Sequence, residues 1–491
     1  MTAVDAGAAR QSATTLAAAA PRPRVESDAR SHIRAANAAA KVWIIVLDDD
    51  PTGTQSVHQI PVLTSWEADD LRWAFDQPAT GFFVLTNTRG LNDDEATATI
   101  VDIAAVISQV AAERGVDYTL ITRSDSTLRG HYPLETDILV GMAREEGRPY
   151  DALLLVPAYI AAGRVTSSDV HYVQAGEEFV PVADTDYARD ATFGFANSNL
   201  RDYVAEKTGG AIVARDVVSI GLDDIRLGGP ERVRDLLVSC SDAVPVVVNA
   251  LADSDLDIVA LGLLLAEEAG TRVLCRTGPS FVASRLGMVS RGPLTHAEIF
   301  ASGERAGHGL VVVGSHVELT TRQVSRLTAD VAGLETIVLD VPCLLDPALA
   351  LAEVDRCAAA LIDALTRADT LLVSSRQQVI GDSGHSSLLI AQAVSGALVE
   401  LSTRAVNTVP LTWVLAKGGI TSSDIATEGI GIQRATVAGQ LFTGIVSVWL
   451  NEADDHELAG LPYVVFAGNV GDESTLADAV AILQGRAPIR A

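Results

Sequence analysis

The chain has 491 residues and a formal charge of −27, from 36 Lys and Arg against 63 Asp and Glu. At roughly 150 residues per domain, that length allows two to four domains, and a composition of 48% hydrophobic and 20% charged residues excludes global disorder. The acidity repels duplex phosphates and so excludes nucleic acid as a general partner, but a local group of arginines can still hold a small anion.

Residues 1–40 are an Ala-rich arm with five arginines and no continuous apolar h-region. A disordered or helical arm is expected there, and a signal peptide is not. No apolar run reaches about 18 residues, so no membrane span is expected. The four cysteines, Cys240, Cys275, Cys343 and Cys357, show no CxxC spacing. They read as small buried hydrophobes of a cytoplasmic protein.

Residues 42–47 (VWIIVL) form a short apolar run rich in β-branched side chains, which predicts a buried strand. Similar runs recur at 81–85, 118–121, 152–156 and 244–248, with helix-period segments at 95–113 and 230–239 between some of them. A second series runs through 309–313, 336–339, 370–373, 411–415 and 463–466, with helical patterns at 321–331, 348–367 and 386–404. Strand, loop and helix at this spacing predict two α/β domains with mainly parallel sheets, 41–290 and 291–491, and an active-site cleft between them. The polar, Gly-containing stretch 290–308 is the expected boundary.

In such sheets ligands bind beyond the carboxyl ends of the strands. The first strand leads into Asp48-Asp-Asp-Pro-Thr-Gly-Thr54, where three adjacent carboxylates need compensation by a metal, bound hydroxyls or arginines. A solvated acidic turn is the plainer alternative. Later strands lead into Thr86-Asn-Thr-Arg-Gly90, Thr122-Arg-Ser-Asp-Ser-Thr-Leu-Arg-Gly130 and a loop carrying Arg164 and His171. Arginine's planar fork suits a carboxylate or phosphate, and together these loops describe a pocket for a polyhydroxylated anion. In the second half, Gly314-Ser315, Lys417-Gly-Gly-Ile-Thr421 and Gly468-Asn-Val-Gly471 each follow a predicted strand. Glycines and hydroxyls before a helix make a phosphate cradle, although any one such turn can be a plain connection. There is no GxxxxGK[ST] pattern, which excludes a Walker-type NTPase. Gly429-Ile-Gly431 lacks the last glycine of a dinucleotide fingerprint, which counts against an oxidoreductase.

At these loops the chain resembles the four-carbon acid sugar kinase family from about Val42 to its C-terminus. Asp49-Asp-Pro-Thr-Gly53 resembles the family's Asp-Asp-x-Thr-Gly motif, and Asp125-Ser-Thr-Leu-Arg-Gly130 matches a second motif in full. Gly163-Arg164 with His171-Tyr172 resembles its Gly-Arg loop, and Thr185 and Asp190 fit the pattern that follows. Gly314-Ser315 with Thr320, Gly418-Gly-Ile-Thr421 and Gly468-Asn-Val-Gly471 resemble the nucleotide-side motifs. Ile160, Ile420, Phe466 and Val470 depart from the family pattern.

The resemblance implies a first domain that holds a sugar acid, a second that holds ATP with Mg²⁺, and phosphorylation of the terminal hydroxyl of a tetronate or 2-oxo-tetronate. It places Asp49, Asp50 and Asp125 as candidate catalytic residues. Thr52, Gly53, Arg89, Arg123, Ser126, Arg129, Gly130 and Arg164 fall on the sugar acid. Gly314, Ser315, Thr320, Lys417, Gly418, Gly419, Thr421, Gly468, Asn469 and Gly471 fall on the nucleotide, with Lys417 as a source of positive charge. No metal ligands can be named, and a homodimer remains open. The alternative is a sugar-acid-binding or regulatory protein without ATP chemistry, motivated by Ile420 and Phe466.

Overall fold

The computed structural model describes residues 9–289, 291–303, 305–315, 317–375, 384–453, 457–468 and 470–488, without the side chains of 51, 52, 384–388 and 420. The chain forms two compact units, Met1–Ser56 with Trp66–Ser290, and Val57–Ser65 with Arg291–Ala491.

In the first unit seven strands form a parallel sheet. Their order is Val218–Ile220, Val244–Val248, Ala152–Val156, Val273–Thr277, Asp117–Arg123, Val42–Asp48 and Gly81–Leu85. The central strands are buried at successive positions, so side chains on both faces are covered. That is why they read as unbroken apolar runs rather than alternating ones. The helices pack in two groups: Ala68–Asp76, Asp93–Arg114 and Leu134–Glu145 in one, Ala29–Ala40, Gly229–Val238, Asp253–Glu268 and Pro279–Arg285 in the other. The Asp93–Arg114 helix is, among the described residues, the one long and apolar enough to cross a membrane by length and mean composition, although polar residues interrupt its apolar run. Its Ile100, Ile103, Ile107 and Val110 are buried within the unit. Its first turn is acidic and closed by an Asn92–Glu95 capping box, as suits the positive end of a helix.

One feature differs from the sequence reading. The stretch from Arg164 onward is not a loop. Arg164–Ser167 and Val170–Ala175 form a hairpin that pairs on with Glu178–Pro181 and Gln11–Ser12 in a separate antiparallel sheet. Ser168 and Asp169 both take positive φ, 50° and 64°, the geometry of a two-residue hairpin turn. The arm is helical over Ala13–Ala18 and Ala29–Ala40, the second of the two states expected for it. Leu16 packs with Val165, Tyr172 and Phe179, and Ile33 is fully buried.

In the second unit five parallel strands run in the order Glu335–Leu339, Thr370–Ser374, His308–Val313, Leu411–Lys417 and Pro462–Phe466. The sheet continues antiparallel through Val446–Asn451, Arg434–Phe442 and Ile60–Leu63. The Arg434–Phe442 strand alternates buried and half-buried residues throughout, the mark of a sheet covered more on one face. The Ile60–Leu63 strand lies in the N-terminal half of the sequence, inside the expected first domain, yet it pairs Arg434 with Leu63 and Val437 with Ile60 in the second unit. Local pattern marks such a run as a strand but cannot say which sheet it joins.

Candidate functional site

In the first unit, Val42–Asp48, Gly81–Leu85, Asp117–Arg123 and Val273–Thr277 deliver charged residues to the carboxyl edge of one sheet. Arg89 grips Asp49 through both carboxylate oxygens, with Nε donating to Oδ2 at 3.3 Å, and its Nη1 donates to Asp50 Oδ2 at 2.7 Å. Arg123 Nη1 donates to Asp48 Oδ1 at 3.0 Å and lies 3.8 Å from Asp49. Arg129 Nε donates to Asp125 Oδ2 at 2.7 Å, its Nη1 is 3.6 Å from Asp190, and its guanidinium lies over the Tyr187 ring. The structure thus brings the predicted Asp49, Asp50, Asp125, Arg89, Arg123 and Arg129 into one network. The Thr52 side chain lies outside the described residues.

Two glycines are required by close approach. A Cβ on Gly53 would fall 1.8 Å from Asp48 Oδ2. Gly130 has φ +118°, and a Cβ there would sit 3.0 Å from Asp49 Oδ2 and 3.2 Å from Arg276 Nη2. Ser126 is buried, and its carbonyl accepts a 2.8 Å bond from His171 Nε2, while Nδ1 of the same ring accepts from the Thr166 hydroxyl at 2.9 Å. Burial pushes the His171 imidazole down to about 4, so it stays neutral and holds the 125–130 turn.

Burial, reinforced by Asp49 and Asp50 and opposed by Arg123, raises the Asp48 carboxyl to about 7. Asp125 goes the other way: burial raises it, but Arg89 and Arg129 outweigh that and hold it well below the usual carboxylate range. Arg89 is half-buried, yet Asp49, Asp50 and Asp125 keep its guanidinium firmly charged.

Arg276 and Glu135 were missed as site residues, and Asp48 was noted in the acidic turn but given no role. Arg276 is the last residue but one of the Val273–Thr277 strand, which sequence reading passed over because Cys275-Arg-Thr277 breaks the apolar run. The available signal was Arg276-Thr-Gly-Pro-Ser280, strand-end turn chemistry like that of the other loops. Arg276 Nη1 donates to Glu135 Oε2 at 3.2 Å, and Glu135 Oε1 accepts from the Thr88 hydroxyl at 2.6 Å. Arg164 differs from the other four arginines. It lies over the Tyr159 ring at 5.6 Å, and among the described residues no carboxylate is within ion-pair distance of it. Arg123 Nε, Arg164 Nε, Arg276 Nη2 and Asp48 Oδ2 are buried without a hydrogen-bond partner. A buried, unpaired donor is costly, so these atoms mark places where a ligand can complete the network.

In the second unit three strand ends meet. The Thr320 hydroxyl donates to Ser315 Oγ and lies 3.0 Å from the Gly468 carbonyl. A Cβ on Gly314 would fall 2.2 Å from Thr421 Oγ1, one on Gly418 3.0 Å from the same atom, and one on Gly468 2.9 Å from Ser315 Oγ. Gly418 has φ +129° and Gly471 φ +79°. Gly419 opens the Gly419–Asp424 helix. Asn469 and the Ile420 side chain lie outside the described residues. Lys417 is fully buried rather than presented as a surface charge. Its Nζ donates to the Ala467 carbonyl at 3.0 Å and lies 3.4 Å from that of Gly468, and it sits 3.9 Å from the centre of the Phe466 ring. Lys417 and Phe466 are direct partners across the parallel pair. Burial lowers the Lys417 ammonium to about 7. Among the described residues no group of three His, Cys, Asp or Glu side chains is arranged to hold a metal ion.

A sugar-binding N-terminal domain model matches residues 44–285 and a nucleotide-binding C-terminal domain model matches 310–476. The chain belongs to the four-carbon acid sugar kinase family. It is similar to the D-threonate kinase of Salmonella typhimurium, 23% identical over 453 residues, covering 89% of this chain and 97% of that one. It is also similar to the 3-oxo-isoapionate kinase of Paraburkholderia graminis, 26% identical over 296 residues, 56% of this chain; the match spans 58% of that relative's length. Two solved structures share the fold. One is a Salmonella typhimurium LT2 protein, at TM-score 0.65 and 17% identity, with 88% of this chain and 98% of that one covered. The other is Haemophilus influenzae protein HI1011, at TM-score 0.63 and 18% identity, with 90% and 99% covered. The first unit's arginine and carboxylate network lies within the span of the sugar-binding domain model, and the second unit's glycine loops lie within that of the nucleotide-binding one.

Proposed function

We propose that this sugar-acid kinase family member transfers the γ-phosphate of ATP, with Mg²⁺, to the terminal hydroxyl of a four-carbon sugar acid, a tetronate or 2-oxo-tetronate. The observation that carries this reading is the imbalance among the five arginines. Arg89, Arg123, Arg129 and Arg276 already have carboxylate partners, while Arg164 has none among the described residues. One free guanidinium beside a carboxylate-rich pocket suits one carboxylate on a polyhydroxylated chain: Arg164 takes the acid, and the aspartates orient the hydroxyls.

Of the three candidate bases, Asp49 is clamped through both oxygens by Arg89, and Asp125 is held strongly anionic by two arginines. A carboxylate so stabilised accepts a proton poorly. Asp50 also takes a 2.7 Å bond from Arg89, but it is less buried than Asp49 and is assigned the proton-accepting role. Asp50→Asn should lower kcat by ~10²–10⁴ with little change in substrate KM, and full activity would remove Asp50 from the chemistry.

On the nucleotide side, Gly314, Gly418 and Gly468 leave room that a Cβ would fill, as a phosphate cradle needs. Bound ATP supplies the transferable phosphoryl group. Lys417 holds the 467–468 main chain in place, and Thr320 ties Ser315 to Gly468. Mg²⁺ would be carried chiefly on the phosphates, because the first unit's aspartates are occupied by arginine. A coupled ADP-release screen over tetronates, 2-oxo-tetronates and pentonates with ATP·Mg²⁺ tests the proposal. Turnover confined to four-carbon acids supports it, and binding without turnover favours the non-catalytic alternative.

A further inference from the structure

The first unit has a cavity of about 360 Å³ at the amino ends of its strands and so at the sheet end opposite Asp48, Arg123 and Arg276. The Ala29–Ala40 helix forms one wall, and Val42, Leu264 and Val273 make part of the lining apolar. Such a volume is within the range of small-molecule sites.

Two arginines reach this cavity. Arg285 is neutralised: its Nη2 donates to both oxygens of Glu267, at 3.0 and 2.7 Å, and its Nη1 donates to Asn37 Oδ1 at 2.5 Å. Arg272 is not. Its guanidinium lies 5.9 Å from the Tyr150 ring centre, its Nε is buried with no acceptor, and among the described residues no carboxylate pairs with it. Asp117, also in the lining, pairs with Arg148. That leaves Glu268, exposed at the rim, as the unneutralised acid. A half-buried guanidinium with no carboxylate partner among the described residues can be completed by a bound anion. Glu268, with Arg272 as the one unpaired arginine of the lining among the described residues, disfavours a second negative charge on that anion.

We propose that this cavity is a binding site for a small organic monocarboxylate with an apolar body, the carboxylate seated on Arg272 and the body against the Ala29–Ala40 helix. The site is separate from the sugar-acid network and does not depend on the kinase reading.

The test uses the full chain with 4-bromobenzoate as probe and the neutral, isosteric 4-bromobenzamide as control. Bromine anomalous scattering from soaked crystals locates the probe, and calorimetry gives its Kd. The proposal predicts a bromine peak in this cavity with the carboxylate on Arg272. It also predicts binding weaker by about tenfold or more both for the amide and for Arg272→Gln, the effect of one charge-assisted hydrogen bond. The amide comparison is made on unaltered protein, so it stands even if the variant folds poorly. A peak only elsewhere, no peak at all, or equal affinity for acid and amide would overturn the proposal.

Discussion

Gly53→Ala tests the geometry of the sugar side at one atom. The added Cβ would lie 1.8 Å from Asp48 Oδ2, more than 1 Å inside the 3.0 Å below which Cβ contacts essentially do not occur. The carboxylate cannot swing away freely, because Oδ1 is held by Arg123 at 3.0 Å and by the Asp50 amide at 3.1 Å. The 51–56 turn must therefore move, and it carries Asp50 and Thr52 with it. Overpacking of this kind costs about 1–3 kcal/mol, which lowers the melting temperature of a unit this size by about 2–12 °C. Misplacing positioning groups by about 1 Å lowers kcat/KM by about 10². Urea denaturation, followed by a probe confined to the first unit, gives the stability change, and the ADP-release assay gives the rate. Asp48→Ala removes the clashing carboxylate, so the second substitution should recover part of the loss in the double variant. If Gly53→Ala alone leaves both stability and kcat/KM unchanged, Gly53 does not stand against Asp48 as described.

Three other outcomes are expected. Arg164→Gln should raise KM for the sugar acid by about tenfold or more, the value of a charge-assisted hydrogen bond, with KM for ATP unchanged; an unaltered sugar-acid KM would reassign the carboxylate seat. Lys417→Met keeps the volume but frees the Ala467 and Gly468 carbonyls, so KM for ATP should rise several-fold while sugar-acid KM holds; the reverse pattern would place Lys417 elsewhere in the chemistry. Asp48 keeps its proton in the folded chain up to about 7 but releases it near 3.8 when unfolded, so the native state binds the extra proton between those values and stability falls as pH rises through that window. Asp48→Asn preserves an acceptor for Arg123 and should flatten this slope between pH 4 and 7, measured as urea midpoints; a variant whose slope matches the parent would place the titration on another group.

Much of the sheet was legible because its strands are covered on both faces, which leaves continuous β-branched runs such as 42–47, 152–156 and 244–248. The Val273–Thr277 strand escaped for the same reason in reverse. Its last residues are Arg276 and Thr277, buried polar groups that serve the site, so the run looks too short. Function interrupts the pattern that reveals the fold, and Arg276 was lost with its strand. The 164–175 hairpin was hidden by polar residues, Thr166, Ser167 and His171, which are buried here; of these, Thr166 and His171 hydrogen-bond to each other. The Ile60–Leu63 strand shows a different limit, since its antiparallel partner lies some 370 residues later. On the nucleotide side the glycines were readable as a motif. The burial of Lys417 was not, because a lysine after an apolar strand reads as a surface charge until the neighbouring strand and its carbonyls are known.

The account's central claim is tested most directly by the position of the transferred phosphate. The full chain, supplied with ATP·Mg²⁺ and a ¹³C-labelled tetronate, should give a product whose NMR spectrum shows phosphorus coupling at the terminal carbon, with one ADP formed per phosphoester. ADP formed without a phosphoester, a phosphoester at an internal carbon, or no product from any tetronate or 2-oxo-tetronate would contradict it.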